Sequence, residues 1–262
     1  MTIANSTVVA ENPLFELQQT LYASSNYTRR RLHQRRLRWV QDAIAAHAPG
    51  APLSRALEYG PGSGIYLPVL ARHCREVIAA DIEDAYLDGI RPLAGELPGL
   101  QLVRDDIQDS RFEEHAFGVV LCSEVLEHVP DPERSLRTLF RVLCPGGIAI
   151  VTTPQRFSTL ELACKVAFLP GVIQLVRRVY REPVLETGHI SLRTQAAIGR
   201  GIATAGFEVL RRDKFGLYVP LLAEFAGETG GRAIEMLERR LGGTALDWTF
   251  WTQAWVLRKP PA

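Results

Sequence analysis

The sequence predicts an α/β fold: a doubly wound, Rossmann-like, mostly parallel seven-stranded sheet with an antiparallel edge strand, N-terminal helices and a helical insertion after the fifth strand. Three observations carry this expectation. From Arg55 to Thr153 short apolar runs alternate with amphipathic stretches of helix length. The run Gly118–Ser123 (GVVLCS) is apolar throughout, as a strand covered on both faces must be. The first strand meets three glycines at alternate positions, Gly60, Gly62 and Gly64, just beyond Glu58, and the next strand ends at an acid, Asp81. A strand, a glycine loop and an acid in this order outline a nucleotide-cofactor site. Glycines let backbone pass close to a ligand, and the acid can accept both hydroxyls of a ribose.

At 262 residues the chain can bury a sizeable core, and it contains no Ser/Gly/Pro-rich linker and no internal repeat. We read it as one domain in four stretches: a helical cap over 1–50, a cofactor-binding core over 51–154, an insertion or lid over 155–187, and completion of the sheet over 188–262. Thirty basic and 29 acidic residues leave a net charge of +1, so no global field favours nucleic acid. The four cysteines have no paired spacing, which fits reduced thiols in a cytoplasmic protein better than a zinc or redox motif. The first residues, MTIANSTVVAENP, lack the pattern of a secretory signal. The most apolar window, Val166 to Val176, is too short to span a bilayer.

In chain order, helical periodicity runs from Leu14 to His47 and contains six arginines between Arg29 and Arg38. This run reads as a solvated helix face, with a phosphate or anionic-lipid contact as the alternative. Strands follow at Arg55–Tyr59, Glu76–Asp81, Leu100–Arg104, Gly118–Ser123 and Ile148–Thr152, with helices at Ile65–His73 and Ala85–Ala94 between the first three. Before the fifth strand lies a helix capped by Asp131, started by Pro132 and stopped by CPGG. Two short helical patterns, 158–168 and 172–180, then interrupt the rhythm. The second is basic and amphipathic, suited to a lid, a membrane-surface contact through 158–181, or a dimer contact. After GHISLRT, a turn and cap, Gln195–Ala205 is helical, and Phe207–Leu210 and Thr249–Leu257 read as late strands. Five strand ends, at Glu58, Asp81, Asp106, Ser123 and Thr153, point to one rim.

The loop spacing is G-x-G-x-G, with Ile65 where a dinucleotide loop has its third glycine, so a Rossmann dehydrogenase is the first competitor. A pyrophosphate favours a helix N-terminus free of negative charge. Glu58 and Asp81 flanking the loop instead suit a cationic ligand. S-adenosylmethionine, with its sulfonium and ammonium, fits better.

Four stretches in this order, LEYGPGSG, AADIE, VRDDIQD and FGVVLCSEVLEHVPDPERSLRTLFRVLCPGGIAIVTTP, resemble the class I S-adenosylmethionine-dependent methyltransferases over roughly Ala56 to Pro154. The resemblance implies Gly60, Gly62 and Gly64 along the methionine and ribose, and Asp81 with Ile82 at the ribose. It further implies Asp106 and Ile107 at the adenine, Ser123 near the methionine, and Glu58 as a contact to the ammonium. Asp105 is expected to face solvent. Within the family, EVLEHVPDP, PGG and TTP look most like the branch of ubiquinone-biosynthesis O-methyltransferases, whose small-molecule acceptors imply transfer to a hydroxyl.

Two sources of acceptor deprotonation are visible. His128 can act as a general base, with Glu124 and His189 as further catalytic candidates. Alternatively Glu124, Glu127, His128 and His189 form an oxygen and nitrogen set for a divalent metal, as the resemblance to some ubiquinone-pathway and small-RNA methyltransferases suggests. Of the two, the sequence favours the metal-free reading. The acceptor is expected to be small and apolar or aromatic, with Phe157, Leu160, Phe168, Leu169, Tyr180, Phe215 and Tyr218 as candidate lining. Transfer to RNA, and a module that binds the cofactor without catalysis, remain the competing functions; oligomeric state is not legible.

Overall fold

A computed structural model describes residues 21–24, 26–174, 188–220, 222 and 226–262. Within it, β1 (Arg55–Tyr59), β2 (Glu76–Asp81), β3 (Leu100–Arg104), β4 (Phe117–Ser123), β5 (Leu143–Pro154), β6 (Glu208–Phe215) and β7 (Thr252–Arg258) form one sheet in the order β3-β2-β1-β4-β5-β7-β6. The first five strands pair in parallel, and β7 pairs antiparallel with both β5 and β6. The expected antiparallel edge is therefore a pair: β7 second from the rim and β6 outermost.

Helices cover both faces, as the continuous apolar strands require. On one face α1 (Tyr27–His47), α2 (Leu67–His73) and α3 (Asp84–Glu96) bury Val40, Ile44, Leu70 and Ile90 against Val119, Leu121 and Ile150. On the other, α4 (Pro132–Val142) and α6 (Gln195–Ala205) bury Leu136, Leu139, Ile198 and Ile202 against Leu57, Val120 and Val151. Adjacent residues such as Leu121 and Cys122 go to opposite layers, the period of two that a pleated strand imposes. A third cluster joins Tyr218, Ile234 and Phe250 to Leu160, tying α5 (Thr159–Ala167) to α7 (Gly227–Leu241).

Several boundaries differ from expectation. Helix α1 begins only at Tyr27, where Asn26 caps it by accepting from the Arg29 N–H at 3.0 Å; residues 14–20 of the expected helix lie outside the described residues. Helix α2 starts at Leu67, because Gly60, Gly62 and Gly64 all take positive φ and keep the loop non-helical to that point. CPGG stops α4 as expected, the helix ending at Val142, but these residues already belong to β5, which begins at Leu143 rather than Ile148. Most of the second insertion pattern (175–187, with Tyr180) lies outside the described residues. Helix α7 has no counterpart in the sequence reading. Its Gly231 explains the weak signal, since a Cβ there would fall 2.0 Å from the Tyr27 ring of α1. Close packing of the two helices demands a residue of poor helix propensity.

Candidate active site

The strand order turns between β1 and β4, and the crevice beyond the carboxyl ends of a doubly wound sheet opens at such a point. The registers Tyr59↔Cys122 and Ser123↔Thr152 align the ends of β1, β4 and β5 on one rim. Two surface hollows lie elsewhere. One is lined by Leu53, Arg55, Glu76 and Glu113 at the amino ends of the strands, the other by Arg212, Lys214 and Asp247 beside β6.

At the cofactor end, Gly60 has φ +65° and donates its N–H to the Ala80 carbonyl at 2.9 Å. A Cβ at Gly60 would sit 2.5 Å from Val125, so both conformation and space require glycine. Glu58 is buried with one carboxylate oxygen lacking any hydrogen-bond partner among the described residues. Burial pushes its carboxyl well above the usual range. A buried orphaned carboxylate costs free energy unless a cation meets it, and the ammonium of S-adenosylmethionine fits that need. Asp81 ends β2 and accepts from the Glu83 N–H at 2.9 Å; burial pushes its carboxyl up to about 6. Ile82 beside it is exposed, free to face a ligand. Asp106 accepts from the Gln108 N–H at 2.8 Å, and Ile107 is buried behind it. Asp105 overturns its expectation. It is buried, accepting from the Tyr59 hydroxyl and the Arg111 N–H, both at 2.9 Å, and so braces the turn from inside.

The acceptor end is built differently. Ser123 meets the Thr152 hydroxyl at 2.9 Å, and Thr152 donates to Glu124 at 3.0 Å. Since that donation uses the one Thr152 proton, Ser123 must be the donor to Thr152. Glu124 has a left-handed backbone (φ 59°), a strained conformation for a residue with a side chain. Its other oxygen takes the guanidinium of Arg36 at 2.7 Å. Arg36 is buried, its plane over Trp251 with the guanidinium carbon 5.3 Å from the ring centroid, and it donates to His33 Nδ1 at 3.0 Å. Burial and the flanking arginines hold His33 well below its ordinary pKa. A neutral ring accepting at Nδ1 is thus consistent with its surroundings.

The structure brings together three of the four candidate metal ligands. Glu127, His128 and His189 each offer an atom within 4.8 Å of the others. Glu124 is not part of that group. Arg36 and Thr152 hold its carboxylate, which removes Glu124 from the expected ligand set as the chain stands. Glu127 is fully buried. One of its oxygens accepts from Thr153 at 3.0 Å and the other lacks a partner among the described residues. Burial, then the nearby Glu124, pushes its carboxyl well above the usual range. The Glu127 carbonyl accepts from the Ile190 and Ser191 N–H groups at 2.9 and 3.0 Å, which delivers His189 to the rim. His128 Nδ1 lies 3.3 Å from the Gly188 carbonyl, and the two imidazoles meet edge-on with centroids 5.2 Å apart. The outer edge of His128 is open to solvent, yet its inner side is desolvated; this, and then the neighbouring His189, lowers its pKa.

The arginine run is not a solvated face. Arg31 is buried, donating to the Leu217 carbonyl at 2.7 Å with Glu238 at 3.5 Å; Arg35 pairs with Glu238 at 2.7 Å and Arg36 with Glu124. Charged residues enter a core only when paired, and these partners lie far along the chain. Arg36, Thr152, Glu161 and Trp251 are the site residues the sequence reading missed; Thr153 was expected at the rim, though not its bond to Glu127. Among the candidate lining residues, Phe215 and Tyr218 are buried in the core, whereas Phe157 and Leu169 are exposed. Among the described residues no helix is long and apolar enough to cross a membrane.

Comparison with known proteins agrees with this geometry. A family model described as a methyltransferase domain matches residues 29–212. A Mycolicibacterium smegmatis protein named "Probable S-adenosylmethionine-dependent methyltransferase" is 29% identical over 185 residues, covering 70% of this chain and 63% of that one. A "Ubiquinone biosynthesis O-methyltransferase" of Aeromonas salmonicida is 32% identical over 197 residues, covering 72% and 76%. The crystal structure of an S-adenosylmethionine-dependent methyltransferase from Mesorhizobium loti shares the fold, with a TM-score of 0.57 at 18% identity over 83% of this chain and 96% of that one. The glycine loop, the orphaned Glu58 and a match over most of the length together place the chain in the family of S-adenosylmethionine-dependent methyltransferases.

Proposed function

We propose that the chain transfers the methyl group to a hydroxyl of a small apolar or aromatic acceptor, with His128 as the base. The observation that carries this reading is the pair of imidazoles, His128 and His189, beside buried Glu127 on the cofactor rim. The names of relatives such as the Aeromonas salmonicida enzyme support a hydroxyl acceptor.

When bound, S-adenosylmethionine supplies an electrophilic methyl on a sulfonium. The chain's own part is to align a nucleophile and remove its proton. An acceptor carbonyl at His128 Nδ1 calls for an N–H there, which leaves the Nε2 lone pair for the acceptor hydroxyl. A pKa below the ordinary value keeps that lone pair available at neutral pH. Val125 packs against Gly60 at the end of β1, and the Arg36 guanidinium that holds Glu124 lies over the Trp251 ring.

His128→Ala tests the assignment. Turnover with a panel of alkyl-substituted phenols should fall about 100-fold or more, while calorimetric affinity for the cofactor stays unchanged. Normal turnover would refute the role of His128. Labelled cofactor that binds but never transfers to any acceptor would support a binding module instead.

A second reading places a divalent cation between Glu127, His128 and His189. Their clustering and the unpartnered oxygen of Glu127 favour it. Activity that survives exhaustive chelation would exclude it. The exposed Leu162 and Val166 of α5, with Leu169 just beyond its end, support a membrane-surface or lipid-like acceptor contact, testable by liposome flotation.

A further inference from the structure

We infer that Glu161 is a positioning residue for the acceptor side: its carboxylate fixes the His189 ring with the proton on Nδ1 and presents Nε2 to the space shared with His128 and Glu127. The inference rests on the reading of that site given above.

Glu161 stands at the third position of α5, behind the cap residue Ser158. A Ser-x-x-Glu pattern normally closes reciprocally, the glutamate reaching back to the N–H of the cap residue. Here only half of that exchange is made. Ser158 Oγ accepts from the Glu161 N–H at 3.3 Å, but the Ser158 N–H already donates to the Gln155 carbonyl at 3.1 Å. The Glu161 side chain has no task at the cap and turns inward.

Its Oε1 receives the indole N–H of Trp251 at 3.1 Å and lies 3.4 Å from His189 Nδ1. Both side chains are nearly buried, 10% exposed for His189 and 9% for Glu161. Trp251 is itself packed against the Arg36 guanidinium and the His33 ring, so the carboxylate has a rigid anchor.

The 3.4 Å contact is long, and His189 Nδ1 has no well-formed hydrogen bond among the described residues. Such contacts are often loose in a ligand-free site and tighten when it fills. The tautomer does not depend on that tightening. An ionised carboxylate only accepts hydrogen bonds, so a lone pair on Nδ1 facing it would be repelled, whereas an N–H is attracted. A carboxylate behind a histidine is the usual means of fixing which nitrogen faces a reaction or a metal.

The test is long-range proton–nitrogen NMR of the imidazoles in the full-length protein, with His189 assigned by a His189→Gln variant. The wild type should show His189 as a single Nδ1–H tautomer. Glu161→Gln, whose amide oxygen can still accept, should keep it. Glu161→Leu, which removes the acceptor at similar volume, should give mixed tautomers and a turnover at least tenfold lower, with cofactor affinity within twofold of wild type. An Nε2–H tautomer in the wild type, or an unchanged tautomer in Glu161→Leu, would overturn the inference. If Glu161→Leu does not fold, the wild-type spectrum decides alone. If the tautomer behaves as expected and His189→Ala loses turnover while His128→Ala turns over normally, positioning stands and the proposed base is wrong; normal turnover of His189→Ala would overturn the positioning role.

Discussion

Along one rim, the ends of β1 to β3 offer a ligand mostly backbone and single acids, while the ends of β4 and β5 offer it side chains supplied from distant parts of the chain. The glycines, Glu58, Asp81 and Asp106 span fewer than fifty residues, and each is placed by its own strand end. The acceptor side draws on Arg36 from α1, Thr152 and Thr153 from β5, Glu161 from α5, and His189 from the segment docked on the Glu127 carbonyl. A locally built site tolerates little backbone change. A site assembled at long range instead depends on buried charge pairs.

The largest expected effect breaks the acceptor side through such a pair. Arg36→Leu leaves Glu124 facing a partly buried site without its cation, and should cost about 3 kcal/mol in urea unfolding. The double variant Arg36→Leu/Glu124→Leu should recover much of that loss. If the double variant is no more stable than the single one, the pair is not the support claimed for it.

Next comes Gly60→Ala, which imposes a side chain at φ +65° within 2.5 Å of Val125. It should lower stability by about 2 kcal/mol and weaken cofactor binding; a variant with wild-type affinity would deny the close approach. Glu58→Gln separates the two properties. Removing an orphaned buried carboxylate should raise the stability of the free protein, yet weaken cofactor affinity roughly 30-fold, equivalent to about 2 kcal/mol. A parallel loss of both would show that Glu58 is a structural acid.

The smallest effect is in pH. The Asp81 carboxyl, raised to about 6 chiefly by burial, keeps its proton in the folded chain after the unfolded chain has released it. Asp81 therefore lowers the stability of the free protein as pH rises from the ordinary aspartate range through about 6, and has no further effect above it. Cofactor affinity should rise over the same window as the ionised acid becomes the better acceptor for ribose hydroxyls. Calorimetry in steps across that window should show the rise in wild type and a flatter profile in Asp81→Asn.

The same contrast explains what was legible. Strands β1, β2, β4 and β5 and the glycine loop announce themselves because burial on both faces and positive φ constrain residue type locally. The inward arginines of α1 could not be read, because Arg36 is 88 residues from Glu124 and nothing nearby marks it as paired. Asp105 looked like a solvated acid until Tyr59 and Arg111 closed on it. Helix α7 was hidden by Gly231, which lets it approach Tyr27. Glu161 carries a cap signature, and only the competing Gln155 carbonyl diverts it.

The most direct measurement compares Glu58→Gln and His128→Ala side by side for cofactor binding by calorimetry and for methyl transfer to the phenol panel from labelled cofactor. If the two halves have the separate roles assigned to them, Glu58→Gln loses affinity and regains transfer at saturating cofactor, while His128→Ala binds normally and does not transfer. Equal transfer by His128→Ala and wild type, or normal cofactor affinity in Glu58→Gln, would contradict that division.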